Sequence, residues 1–369
     1  MRTIVWALLA AAAVSTAAAS AQAQTKLGYG TYLPPTHVNN TVGIEPLAKR
    51  LEKESNGALR IEMFTGGSVA KATAAVDSIR DGLVAAGMIV DSYVPKQLPH
   101  SFLITELAVL GRNSVAMAGA TNEFNLVACP ECLADQKKQG IISMAHYSTA
   151  PYTVMCKPDL RTLADFQGKK IRSAAAWSIM FKSFGLVPVN LTSDETYEAL
   201  QRGQVDCNMG ADSWLKSYSL WDVAKNVLDT TIGTYHGGLL WAMSAEVWAK
   251  LPTDQKAMIK RNMPILAADV TYGYLAESKE VRKTAAEKGV KFNKPGDDFV
   301  KAYDEYATKE LARVKAEGKK RGIKNADELV DRYMALVAKW QKLDETEIKG
   351  DKTKFAAALQ REVFDKVKW

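Results

Sequence analysis

The chain has 369 residues, 47% of them hydrophobic and 24% charged, and a formal net charge of +7. That is ordinary globular composition, enough for a sizeable core. The excess cations are spread through Lys-rich helices, mainly beyond Lys279, with no aromatic interleaving, which reads as solvated surface and argues against nucleic-acid binding.

Met1-Arg2 gives a charged start, residues 4–13 are uniformly apolar, and Ala21-Gln22-Ala23 has the small-x-small form of a cleavage site. Residues 1–23 therefore read as a secretory signal peptide, with Gln24 as the mature N-terminus. A transmembrane anchor needs about 20 apolar residues, and Ser15, Thr16 and Ser20 break this run too soon. No other window approaches a span, so the mature chain is expected not to cross a membrane. Removing the signal takes away Arg2 alone and lowers the charge from +7 to +6. The remaining length suggests two domains, at about 100–200 residues each.

Residues 26–32 read as a short strand that enters a loop over 33–40. Ile44, Leu47, Ala48 and Leu51 recur at helical spacing, and Gly57 ends that helix. Residues 59–64 alternate as a strand, and Gly66-Gly67 turns it. A second helix carries Ala75, Val76 and Ile79 and closes near Gly82. Residues 85–90 are then an apolar run suited to a buried parallel strand ending at Asp91. The βαβαβ order predicts an α/β sheet with ligands at the C-terminal ends of its strands.

Cys129-Pro130-Glu131-Cys132 has the spacing of a redox or zinc half-site, but no second cysteine pair or histidine cluster accompanies it. In an exported protein a local structural disulfide is the better reading. Whether Cys156 and Cys207 meet is left open by the sequence.

A second α/β pattern starts near Tyr152, with a strand over 153–156 and a short helical turn over 162–168. Residues 169–172 enter the next strand, 175–184 are helical, and 187–189 form another short strand. Thr192-x-x-Glu195 is a capping box that opens a helix through Leu200, with Gly203 at its C-terminal cap. A strand over 204–209 follows. From Thr253 helices dominate, including a long one to about residue 287. A final helical block runs from Phe299, interrupted near Gly322 and again between Asp344 and Asp351. No linker separates the two units, so the chain is expected to cross between them more than once.

The four histidines, His37, His100, His146 and His236, are scattered, and no nucleophile elbow, phosphate loop or dinucleotide fingerprint occurs. Neither a cofactor nor a metal is therefore expected. Arg172 stands out: it ends a strand and precedes the small stretch Ser173-Ala174-Ala175-Ala176. A guanidinium there can grip a carboxylate with two parallel hydrogen bonds, and small neighbours leave room for the ligand. Tyr32, His37, Asp91, Trp177, Asp212, Trp214 and His236 are further candidates, because each lies near a strand end or a hinge crossing.

From Thr31 to about Leu251 the chain resembles the solute-binding subunits of tripartite ATP-independent periplasmic (TRAP) transporters. The resemblance is carried by Leu47-Ala48-x-x-Leu51-Glu52, by Ser55-Asn56-Gly57-Ala58-Leu59-x-Ile61, and by Gly66-Gly67 before Val76-Asp77-x-Ile79-Arg80-Asp81-Gly82. Leu163-x-Asp165-Phe166-x-Gly168-x-Lys170-Ile171-Arg172 carries it most strongly. Gly185-x-x-Pro188-Val189, then Glu195-x-Tyr197-x-Ala199-Leu200-Gln201-x-Gly203-x-Val205-Asp206, and finally Trp248-x-x-Leu251-Pro252 continue the series.

The resemblance implies a periplasmic α/β clamshell with mixed sheets flanked by helices, a long hinge-crossing helix and a helical C-terminal extension. Lobe I is expected over 24–150 plus about 236–277, and lobe II over 151–235 plus about 278–369, extension included. Arg172 falls on the family's carboxylate-binding arginine, which implies a small organic acid as ligand and a TRAP membrane permease as partner. Two departures matter. The family's ligand-binding Asn follows its Gly-x-Val-Asp strand, where this chain reads Cys207-Asn208-Met209-Gly210, so Asn208 is offset by two. A second pocket arginine of the sialic-acid branch falls on Tyr152, which implies one tightly held carboxylate rather than two. Other classes are a clamshell that reports to a signalling receptor, or an exported enzyme with Asp91 and His236 as its acid–base pair.

Overall fold

The computed structural model describes residues 24–369, and the expected signal peptide, residues 1–23, lies outside them. In chain order the strands are β1 (Thr25–Gly30), β2 (Leu59–Phe64), β3 (Ala86–Val90), β4 (Ile141–Tyr147), β5 (Tyr152–Cys156), β6 (Lys170–Ser173), β7 (Val187–Asn190), β8 (Cys207–Ala211), β9 (Asn226–Leu228), β10 (Gly238–Ser244) and β11 (Lys291–Asn293). They form a five-stranded sheet of order β2-β1-β3-β10-β4 and a six-stranded sheet of order β11-β9-β5-β8-β6-β7.

The first sheet is parallel across β2, β1 and β3, with the helices Glu45–Glu54 and Ala75–Arg80 as crossovers. This is the expected βαβαβ order. All of β3 is buried, as its uniformly apolar sequence requires. β10 is inserted antiparallel between β3 and β4, a pairing across about 150 residues that no local pattern announces. In the second sheet β7, β6 and β8 are parallel, while β5 runs against β8. The capping box forms as expected: the backbone N–H of Thr192 donates to Glu195 Oε2 at 2.7 Å, opening the turn before helix Thr196–Gln201.

The chain crosses between the sheets after β4, after β9, along helix Thr253–Thr284, and again after β11. Near its start, the 32-residue helix Thr253–Thr284 holds Glu54 of the first unit through Arg261 at 2.6 Å. Near its end, Arg282 pairs with Asp212 and with Asp229 of the second unit. One rigid element thus touches both units.

The C-terminal helices contact both units. Helix Asp297–Lys320 starts on the second unit, where Phe299 packs on Phe166 and Phe184. It ends on the first unit, where Arg313 and Arg321 pair with the buried Glu106. Helix Ala326–Leu343 then lies along helix Ser114–Glu123 of the first unit. Trp340 sits flat over Gly119, where a Cβ would come within 2.2 Å of the indole, and its Nε1 donates to Glu123 at 2.7 Å. Residues 278–369 thus make contacts with both units. β11 joins the second sheet, but the last two helices cover the first unit. The physical reason is complementarity: the stripe of Leu329, Tyr333 and Trp340 needs an apolar face, and the wholly buried, Ala- and Gly-rich helix Ser114–Glu123 supplies one.

Disulfides join Cys129 to Cys132, as expected, and Cys156 to Cys207, which ties β5 to β8. Among the described residues no helix is long and apolar enough to cross a membrane.

Candidate functional site

The C-terminal ends of the parallel strands in the two sheets face one another across a closed cavity. One wall comes from the first unit: Tyr32, Leu33 and His37 after β1, Ser92 and Tyr93 after β3, and Tyr147 at the end of β4. The other comes from the second: Tyr152 at the start of β5, Arg172 and Trp177 around the end of β6, Ser193 after β7, and Trp214 and Tyr218 after β8. Tyr235, from the return crossing, and Tyr274, from the long helix, complete the box. The space open to the centre of a water molecule is about 30 Å³, so the lobes are already closed down to the size of a small ligand.

Arg172 is the cation of this box, and it is 1% exposed. Its Nε donates to the Leu191 carbonyl at 3.0 Å and its Nη2 to the Tyr93 hydroxyl at 2.7 Å. A guanidinium has five N–H donors, so three remain for a ligand. Its Cζ lies 5.7 Å from the Trp214 ring centroid. Trp214 reaches that position because residue 210 is glycine: a Cβ there would meet the indole at 2.3 Å. Among the described residues no carboxylate forms an ion pair with Arg172. Burial opposes its charge, and the phenols of Tyr152, Tyr218 and Tyr32 beside it stay protonated, so none of them is a counter-ion. A buried, charged guanidinium without a counter-ion is costly, and an anionic ligand removes that cost.

The rest of the box is aromatic and neutral. Tyr152 stacks on Trp177 with centroids 5.0 Å apart and lies 6.4 Å from Tyr235. Burial pushes the phenols of Tyr32, Tyr152, Tyr218, Tyr235 and Tyr274 well above their usual range, so all stay protonated. Burial also lowers His37 to about 3. Its Nδ1 accepts from the Asn39 N–H at 3.2 Å, which leaves the proton on Nε2, 3.4 Å from the Tyr274 hydroxyl. Ala175, at the start of helix Ala176–Ser183, has φ +52° and ψ −139°, a conformation costly for any residue but glycine and typical of functional sites.

Of the residues singled out from sequence, Arg172, Tyr152, Trp177, Trp214, Tyr32 and His37 line the cavity, and Asp91, Asn208, Asp212 and His236 do not. The acid and base groups of Asp91, Asp212 and His236 are each occupied by the scaffold. Asp91 is buried behind the wall, accepting from Thr105 Oγ1 at 2.6 Å and from the Tyr235 hydroxyl at 3.4 Å. Asp212 accepts from Thr153 Oγ1 at 2.7 Å and is held by Arg282. His236 stacks on Tyr333, with its ring nitrogens 3.1 Å from the carbonyls of Thr234 and Ile104. Asn208 is paired with Arg172 across the β6–β8 ladder but buried away from the cavity, both its amide atoms unpartnered. The acid–base pair considered from sequence thus has neither member in the cavity. Tyr93, Ser193, Tyr147, Tyr218 and Tyr274 are lining residues that sequence reasoning did not select. Tyr93 and Ser193 follow parallel strands, so the strand-end rule points to both; Tyr147 and Tyr274 carry no local signal. Among the described residues no group of three or more His, Cys, Asp or Glu side chains is arranged to hold a metal ion.

Residues 29–317 match the family model for bacterial extracellular solute-binding proteins, family 7 (DctP). A solute-binding protein from Albidiferax ferrireducens is 25% identical over 276 residues, 72% of this chain and 78% of that protein. Among solved structures, a TRAP solute-binding protein from Rhodoferax ferrireducens T118, in complex with copurified benzoate, has a TM-score of 0.77 at 18% identity, covering 87% of this chain and 99% of that one. Another, from Bordetella bronchiseptica with bound (R)- and (S)-mandelate, has a TM-score of 0.73 at 20% identity, covering 85% of this chain and 99% of that one. The expected two-lobed α/β fold is the fold these proteins share.

Proposed function

Because this chain belongs to family 7 of the bacterial extracellular solute-binding proteins, we propose that it captures one small organic monocarboxylate in the periplasm and delivers it to a TRAP membrane permease. On this reading residues 1–23 are the cleaved export signal, and each sheet is the core of one lobe. Closure of the lobes is the binding event, and the closed form is what the permease receives.

The observation that carries the reading is Arg172, buried in a closed aromatic box, without an acidic partner and with three N–H groups to spare. One cation in the box favours one carboxylate over two, which sets C4-dicarboxylates behind monocarboxylates. The Tyr152–Trp177 stack and the Trp214 face suit a flat, apolar or aromatic body. Structures with the same fold that hold benzoate and mandelate support that class.

A thermal-shift screen of the mature protein against aromatic, keto, hydroxy and dicarboxylic acids tests the reading. An acid at about 100 times its Kd stabilises the folded state by roughly 2.7 kcal/mol. The expected result is stabilisation by monocarboxylates and not by their amides, lost in Arg172→Ala. Stabilisation by amides equal to that by acids would overturn it.

A further inference from the structure

Tyr93 belongs to the first unit, in the short turn Asp91–Tyr93 that directly follows β3. Its hydroxyl oxygen accepts two hydrogen bonds from the second unit: from Arg172 Nη2 at 2.7 Å and from the backbone N–H of Ser193 at 2.9 Å. Both bonds span the cleft, so both exist only when the lobes are closed. Among the described residues Tyr93 is the one first-unit side chain hydrogen-bonded to Arg172. A phenolic oxygen with two donors on it has its lone pairs occupied, and its own proton is left to donate. Among the described residues no hydrogen bond takes up that proton, and Tyr93 lines the cavity beside the free N–H groups of Arg172.

We propose that Tyr93 is the residue that couples carboxylate capture to lobe closure: its O–H donates to the carboxylate that Arg172 holds, while its oxygen fastens the first lobe to Arg172 and Ser193 of the second. This rests on the reading of the cavity as a carboxylate site. A carboxylate accepts from a guanidinium on one lobe and a phenol on the other at once, so it stabilises the closed state over the open one. A ligand shifts a conformational equilibrium only by such differential contacts. Binding to Arg172 alone, in the open form, leaves the Tyr93 contacts unmade. Tyr93 is therefore a specificity and positioning residue as well as a latch, because a neutral ligand without two acceptor oxygens satisfies one lobe and not both.

Tyr93→Phe removes one oxygen and keeps the ring. The probe is whichever of benzoate, mandelate, pyroglutamate or succinate shifts the wild-type melting temperature most. Calorimetry gives its affinity, and small-angle X-ray scattering gives the compaction it causes. The expected result for Tyr93→Phe is an affinity roughly tenfold to a hundredfold weaker, a smaller compaction at saturating acid, and an unchanged melting temperature without ligand. A purely structural tyrosine lowers that melting temperature and leaves the saturated compaction alone. Affinity within twofold of wild type, with equal compaction, overturns the role of Tyr93 while the carboxylate reading stands. No response of the wild-type protein to any of the four acids removes the carboxylate reading itself, and the Tyr93 inference with it.

Discussion

An Arg172→Met substitution keeps much of the side-chain volume and removes the charge, and it should do two opposite things. It should abolish most of the carboxylate affinity: two charge-assisted hydrogen bonds at about 1.5–3 kcal/mol each make a loss of roughly 3–6 kcal/mol, or about 10²- to 10⁴-fold. It should also favour closure without ligand. In the closed form the guanidinium is 1% exposed and is compensated by the Leu191 carbonyl, the Tyr93 phenol and the Trp214 ring face, none of them charged. Desolvating an unpaired ion costs several kcal/mol, more than these neutral groups return, so the wild-type charge opposes closure until an anion arrives. Every 1.4 kcal/mol of that penalty is about a tenfold bias toward the open form. Calorimetry with a monocarboxylate reads the first effect, and small-angle scattering of the ligand-free proteins reads the second. Affinity within tenfold of wild type, or a ligand-free variant more open than wild type, would refute the reasoning.

Asp91 predicts a pH effect away from the ligand. Burial pushes its carboxyl up to about 7, against hydrogen bonds from Thr105, the Ser92 backbone and Tyr235 that pull it down. A carboxyl with a folded pKa above its unfolded one stabilises fully below about pH 4 and loses that contribution as pH rises to about 7. Asp91→Asn cannot ionise, so its stability relative to wild type should be about 3 kcal/mol more favourable at pH 8 than at pH 5; equal differences in urea melts at the two pH values count against it. The Cys156–Cys207 bond closes a loop with a sequence separation of 51, which the chain-entropy relation makes worth about 4 kcal/mol. Replacing both cysteines by alanine should lower the urea midpoint accordingly, and an unchanged midpoint would show that the bond does not constrain the unfolded chain.

Much of this protein is written in short stretches of its sequence. The strand over residues 59–64, the helix from Thr253, the Thr192–Glu195 capping box and the Cys129–Cys132 bond all rest on interactions within about one turn or one strand. Side-chain periodicity and capping reveal such interactions directly. Arg172 was legible for a related reason: a strand end followed by small residues is a local feature, and the strand-end rule says what such a position faces.

The tertiary structure decided the rest, because it depends on which distant surfaces meet. Asp91 and His236 look like chemistry in one dimension, yet the packing of β3, β10 and Tyr333 spends both on internal hydrogen bonds and stacking. Cys156 finds Cys207 because β5 and β8 lie side by side in antiparallel register. The last two helices cover the first unit because helix Ser114–Glu123 left an apolar face there. Tyr93 and Arg172, 79 residues apart in the chain, became partners when the two units closed on each other. Local sequence sets the elements and puts Arg172 at a strand end, whereas burial, partner choice and the closed aromatic box follow from non-local packing, which no single window of the chain contains.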